Sequence, residues 1–414
     1  MKENMVLSKM DSYLKSTMKA TGLELSYELF EKGICNVGNR AGIAKAMKKA
    51  LRGEDITICC FGGSATRGAC STLEPAEESG IKHSLGTWNY VDHICDFWET
   101  TFGCKVNKVN AGMGATDTVY GIHRMDEDVL SYNPDLVVVE WSCNDGVEFA
   151  YKQATYECMI RRLLDSKTAV FMICLCYPNG LSAQPLHEPL AERYDLPMVS
   201  YKNAYFDYDK FKYLTSDNAH PNNVGYALIG LMVNRFFMNC FGDLDQLGEW
   251  APTYDETPLC EESLYYEGSK IVPLKDIYEG KVDGIRIVDL GSFKMDGEPR
   301  TFAYRTYYGF TTSYAAKYEP MVIELDACKT LFLQLYRNTT YHGTDFYVEL
   351  NDKKITSNTF TCKHGVDNNQ VEWSYHWATE RLCYNPTPEK VLLKIYPELT
   401  NENAAIRFYA LLVS

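Results

Sequence analysis

The spacing of hydrophobic positions changes twice along this chain. In residues 39–53 they recur with helical period: Ile43, Ala46, Met47 and Leu51 share one face, Asn39 is placed to cap the start and Gly53 the end. From 55 to 240, short and nearly continuous apolar runs (56–61, 106–110, 135–141, 169–176 and 197–201) alternate with amphipathic segments, each run bounded by turn residues. Strands covered on both faces read this way, so the pattern predicts five strands of a parallel sheet between helices. Residues 241–282 are irregular and read as a linker. Beyond 283 the period becomes two: Leu331, Leu333 and Leu335; Phe346, Val348 and Leu350; Val391, Leu393 and Ile395; Ile406, Phe408, Ala410 and Leu412. That alternation predicts an antiparallel, jelly-roll-like β-sandwich over 283–414. The expected organisation is therefore a helical extension (1–54), an α/β domain (55–240), a linker (241–282) and a β-sandwich domain. No stretch reads as the roughly 18 apolar residues of a transmembrane helix.

Composition narrows the partners. The 414 residues carry a formal net charge of −14, which argues against nucleic acid and anionic membranes as partners. The basic stretch Lys45, Lys48, Lys49 and Arg52 reads as the solvated face of one helix. Fifteen cysteines, an odd number without CxxC pairs, sit largely in apolar runs. Buried thiols in a reducing compartment fit that usage better than a disulfide framework, and residues 1–18 lack a signal-peptide core, so a cytoplasmic location is expected. The eight histidines make no H-E-x-x-H or Cys/His zinc spacing, and neither a metal nor an organic cofactor is expected.

Parallel sheets carry their sites at the carboxyl ends of their strands. The first predicted strand ends at Gly62-Gly63-Ser64, the second at Gly112 to Ala115, the third at Asn144-Asp145. Ser64 at a strand-to-helix turn would present its hydroxyl at the sheet edge, although Gly-Gly-Ser alone is equally a plain turn. Asp217 precedes His220 by three residues, a spacing that lets a carboxylate orient an imidazole. Taken alone, the same residues read as a helix cap beside a surface histidine. Asn144 can donate to an oxyanion, and the small residues around Gly114 and Ala115 expose backbone N–H groups.

The order Ser64, Gly114/Ala115, Asn144, then Asp217 with His220 resembles the four blocks of the SGNH (GDSL-like) hydrolase superfamily, over about residues 55–240. The resemblance implies a three-layer α/β/α sandwich and ester hydrolysis through an acyl-enzyme, with Ser64 as nucleophile and His220 as base oriented by Asp217. The N–H of Ser64, that of Gly114 or Ala115, and the Asn144 amide form the implied oxyanion hole. Three positions depart from the usual pattern. Gly63 stands where an acid is common, as in a carbohydrate-active branch; the second-block glycine, counted from Asn110, falls on Ala115; and Ser142 replaces the glycine leading the third block.

Other residues carry weaker expectations. Cys143 reads as a buried spacer. Arg67, three residues after Ser64, is a candidate substrate contact, or a salt-bridge partner of Asp145 or Glu140. Trp88, flanked by His83 and His93, is a candidate pocket wall. Trp373, Tyr375 and Trp377 would share one side of an extended strand, as a sugar-stacking face or as ordinary core. The Gly-Gly-Ser variant with a β-sandwich partner resembles carbohydrate O-acetyl esterases, so the expected partner is an acylated oligosaccharide or another small ester. An acyltransferase using the same triad and a carbohydrate-binding protein with a vestigial site are the alternatives. The sequence does not indicate an oligomeric state.

Overall fold

A computed structural model describes residues 2–146, 150–251, 254, 256–302, 305–338, 344–355, 374–378, 381–399 and 405–414. The chain divides into two compact units, residues 1–121 with 125–261, and 122–124 with 262–414.

The first unit is a sheet between helices. Its strands are β1 (Ile34–Asn36), β2 (Ile56–Gly62), β3 (Val106–Gly112), β4 (Leu136–Glu140), β5 (Ala169–Cys174) and β6 (Met198–Ser200). Its helices are α1 (Lys2–Ala20), α2 (Tyr27–Glu31), α3 (Ala41–Leu51), α4 (Ser64–Arg67), α5 (Tyr90–Phe102), α6 (Thr118–Asp128), α7 (Ala150–Asp165), α8 (Gln184–Arg193), α9 (Tyr201–Tyr205) and α10 (Asn223–Gly242). The strand order is β1-β6-β5-β4-β2-β3. The five predicted strands run parallel. A sixth, β1, pairs antiparallel with β6 through Ile34 and Val199. Three residues show too little alternation to announce a strand, and β1 forms because the edge of β6 is there to pair with.

Within each central strand the side chains divide between two buried faces, which is why the runs are continuously apolar. Ile56, Ile58 and Cys60 of β2 join Leu136, Val138, Phe171 and Ile173 in one core. On the other face Phe61 meets Trp141 edge-on, ring centroids 5.2 Å apart. Residues 1–54 pack into the first core: Val6, Met10 and Leu14 of α1, one turn apart, are each at most 2% exposed. At the start of α3 the Ala41 N–H donates to Asn39 Oδ1 at 3.0 Å, and Gly53 follows the helix in the left-handed region, φ +82.

One sequence expectation is corrected here. Helix α10, 20 residues, is long and apolar enough by length and composition to cross a membrane, and 83% of its most apolar window is buried within the protein. It is apolar all round because it is packed all round, with Phe236 and Phe237 both against Phe171 of β5.

The second unit is an all-antiparallel sheet. Its longest strand, Met321–Asn338, pairs with Cys383–Leu399 along its first half and with Ala405–Val413 along its second. It changes partner where the register slips between Leu325 and Thr330, the usual way in which one strand serves two parts of a bent sheet. The predicted period-two residues are buried, Leu331, Leu333, Val348, Leu393, Ile395, Ile406, Phe408 and Leu412 completely. Trp377 falls in strand Ser374–Ala378, and Trp373 lies outside the described residues.

Candidate active site

The chain leaves β2 for β3 on one side and later resumes on the other side with β4. The carboxyl end of β2 is therefore the point where connections part, and a crevice opens there. Ser64 sits directly beyond it, opening α4. The first helical bond in this turn is Arg67 N–H to Gly63 O, 3.1 Å, so the Ser64 N–H has no intrahelical acceptor. The short helix presses onto the ends of β2 and β3, where only glycine leaves room: a Cβ on Gly112 would lie 2.6 Å from Arg67 Cα.

His220 reaches the same point from a turn closed by a bridge between Thr215 and Pro221. Its Nε2 lies 2.8 Å from Ser64 Oγ, and its Nδ1 lies 2.6 Å from Asp217 Oδ2. The other Asp217 oxygen accepts the backbone N–H groups of Ala219 at 3.0 Å and His220 at 2.7 Å. Asn218 between them is left-handed, φ +63, as asparagine tolerates. Partial burial would raise the Asp217 carboxyl, but the His220 backbone N–H, its imidazole and the Ala219 N–H outweigh it and hold the pKa at about 2. Asp217 is thus ionised across the neutral range, Nδ1 carries the proton, and Nε2 is left to take one from Ser64. The cap of α10 is supplied instead by Asn222, whose side chain accepts the Gly225 N–H, so Asp217 and His220 are free of that duty.

Two further strand ends converge on Ser64. A Cβ on Gly114 would lie 3.7 Å from Ser64 Cβ, which places the Gly114 backbone beside Ser64; Ala115 next to it is left-handed, φ +56. Asn144 covers Gly63 so closely that a Cβ there would lie 2.8 Å from its Cγ and nearer still to its Oδ1. The loop bearing Asn144 is held from below. The Ser142 N–H and hydroxyl both donate to Glu140 Oε1, at 2.9 and 2.7 Å, and Ser142 Oγ accepts the Leu175 N–H at 2.6 Å. Serine at this position thereby ties the end of β4 to that of β5. Asp145, buried, accepts from the Thr118 N–H and hydroxyl and lies 3.1 Å from His187 Nε2. Burial lifts the Glu140 carboxyl to about 7 against its two bonds from Ser142.

Arg67 is exposed, and its Nη1 is 3.7 Å from where a Gly114 side chain would start. Among the described residues it makes neither expected salt bridge, since Asp145 and Glu140 are buried with Thr118, His187 and Ser142. Cys143 is half-buried in the wall of the Ser64 pocket rather than the buried spacer expected, and desolvation pushes its thiol well above the ordinary range, so it holds its proton and is no competing nucleophile. Trp88 lines a different cavity from Ser64. Several lining residues went unnoticed in the sequence. Leu175, Cys176, Tyr177, Tyr201 and Pro221 border the Ser64 pocket; the strand-end rule applied to β5 would have found the first three. Cys70, left-handed at φ +65, donates its thiol to Asp217 Oδ2 at 3.3 Å. Cys70, Asp217 and His220 converge within 4.8 Å, as metal ligands can, but one Asp217 oxygen already serves both the thiol and the imidazole.

No protein-family model matches the chain, and no curated protein matches it by sequence. Among solved structures, a two-domain esterase (CEX) active on acetylated mannans superposes with a TM-score of 0.74 at 22% identity, covering 93% of this chain and 98% of that one. The same esterase co-crystallized with mannopentaose gives 0.72 at 23%, covering 93% and 96%. At that identity what is shared is the fold, and this chain has the two-part fold of that esterase.

Proposed function

We propose that this protein is a serine esterase of the SGNH kind that removes acetyl groups from oligosaccharides. The observation that carries the reading is the continuous path Asp217–His220–Ser64, with links of 2.6 and 2.8 Å. In the proposed reaction Ser64 Oγ attacks the acyl carbonyl while His220 Nε2 takes its proton. The oxyanion is held by the N–H groups of Ser64 and of Gly114 or Ala115 and by the Asn144 amide. The intermediate collapses to an acyl-serine as His220 returns the proton to the leaving sugar hydroxyl. Water, activated by the same imidazole, then releases the acid and restores Ser64.

The pocket beside Ser64 limits the acyl group. Ala65, Cys143, Leu175, Cys176, Tyr177 and Tyr201 leave about 20 Å³ there, room for one or two water-sized groups. That space suits a methyl group better than an octanoyl chain. The sugar half of the reading is supported by the shared fold with an esterase active on acetylated mannans.

The test is acetate release from acetylated manno- and xylo-oligosaccharides compared with octanoyl esters, together with fluorophosphonate labelling mapped by mass spectrometry. The expected result is labelling at Ser64, turnover of acetyl substrates and loss of both in Ser64→Ala. Labelling elsewhere, or faster turnover of the long-chain ester, overturns the proposal.

A further inference from the structure

A second cavity of the first unit, about 400 Å³, lies between the end of α1, the 84–88 loop and α5. Binding sites for small molecules fall in this size range and combine an aromatic wall with a few polar groups. Here the wall is Trp88, 44% exposed, an unusual state for a side chain that normally gains from burial. Ser16, Thr17, Ser84 and Asp96 supply hydroxyls and a carboxylate at the rim.

Trp88 is held in place. Asn89, the next residue, caps α5 by accepting the Val91 N–H at 2.8 Å and the Asp92 N–H at 3.2 Å. The Ser84 N–H donates to Ala20 O at 2.8 Å, tying the loop to α1. The indole also meets the His93 ring edge-on, centroids 5.5 Å apart. His93 is buried, lines the cavity, and its Nδ1 has no hydrogen-bond partner among the described residues. Burial lowers its pKa to about 4, so the ring is neutral at ordinary pH. That nitrogen is itself closed off from solvent, and the neutral ring serves as a wall behind the indole.

Arg67 stands between Ser64 and Trp88 in the chain and touches the neighbour of each. Asn89 Nδ2 donates to the Arg67 carbonyl at 3.3 Å, while Arg67 Nη1 is 3.7 Å from where a Gly114 side chain would start.

We infer that the Trp88 cavity is a saccharide subsite, in which the apolar C–H face of a pyranose stacks on the indole and its hydroxyls bond to the polar rim of Ser16, Thr17, Ser84 and Asp96. This rests on the esterase reading: a glycan whose ester lies at Ser64 would extend past Arg67 to a second ring at Trp88. An aromatic contact of this kind contributes roughly three- to tenfold in affinity.

The experiment compares kcat/KM on an acetylated manno-oligosaccharide with kcat/KM on p-nitrophenyl acetate, which has no sugar to stack. The ratio is expected to fall three- to tenfold in Trp88→Ala, through KM, and to recover in Trp88→Phe. An unchanged ratio overturns the subsite. Independently of catalysis, the parent protein and both variants are titrated with mannopentaose by calorimetry. Saturable binding that Trp88→Ala weakens supports the inference, and no binding at millimolar sugar overturns it. If the parent hydrolyses neither ester, the esterase reading fails, and the titration still decides the subsite.

Discussion

Gly63 offers the most discriminating test of the site. A methyl group placed there would lie 2.8 Å from Asn144 Cγ and closer to Oδ1, inside van der Waals contact. The neighbour that must yield is the end of a side chain, so Gly63→Ala is expected to fold while swinging the Asn144 amide away from Ser64. Losing one oxyanion donor costs about 10²–10³ in kcat, or roughly 3–4 kcal/mol of transition-state stabilisation. The control is Gly62→Ala. Its Cβ would come within 3.0 Å of Thr66 Oγ1 and of the Glu140 backbone carbonyl, which cannot swing aside, so that variant is expected to lose stability as well as rate. The assay is kcat and KM on p-nitrophenyl acetate with thermal melting of Gly63→Ala, Asn144→Ala and the double variant. If Gly63 acts through Asn144, the double variant resembles Asn144→Ala alone, because the second change has nothing left to displace. Additive losses, or full activity in Gly63→Ala, would refute the reasoning.

The pocket and its supports yield further expectations. Glu140 is fully buried with its pKa raised from 4.5 to about 7. A raised folded-state pKa means stability is greatest below the unfolded value and falls as pH rises from about 4.5 to 7, by roughly 3 kcal/mol. Denaturant melts at pH 5 and 8 should show this drop in the parent and its absence in Glu140→Gln. Asp145→Ala leaves Thr118 and His187 facing an empty, buried space; the cost should be about 3–5 kcal/mol, read as a lower denaturation midpoint. Leu175→Ala should enlarge the acyl pocket, raising the butyrate-to-acetate ratio of kcat/KM while costing about 2–5 kcal/mol of stability; an unchanged ratio would mean that this wall does not limit the acyl chain.

Much of the site was legible because its chemistry is local. Ser64 and Asn144 follow closely on apolar runs, Gly114 follows a mixed one, and Asp217 needs only a three-residue turn to grip His220. A strand buried on both faces announces itself by composition, and its end announces where side chains can converge. Features made by partners distant in sequence were silent. Cys70 bonds Asp217 across 147 positions, and nothing around Cys70 foretells it. Strand β1 exists only because β6 offers an open edge. That α10 is apolar all round because it is a core helix became clear only once its neighbours were seen to bury it.

Sequence by itself fixed the two kinds of sheet, the order of the site-bearing strand ends and the residues able to transfer a proton, since periodicity and turn chemistry are properties of neighbouring residues. Tertiary structure alone decided that the hydroxyl and imidazole meet at 2.8 Å, that Gly63 makes room for an amide, and which residues border the pocket beside Ser64. Those are distances between segments that only packing brings together, and no local pattern encodes them.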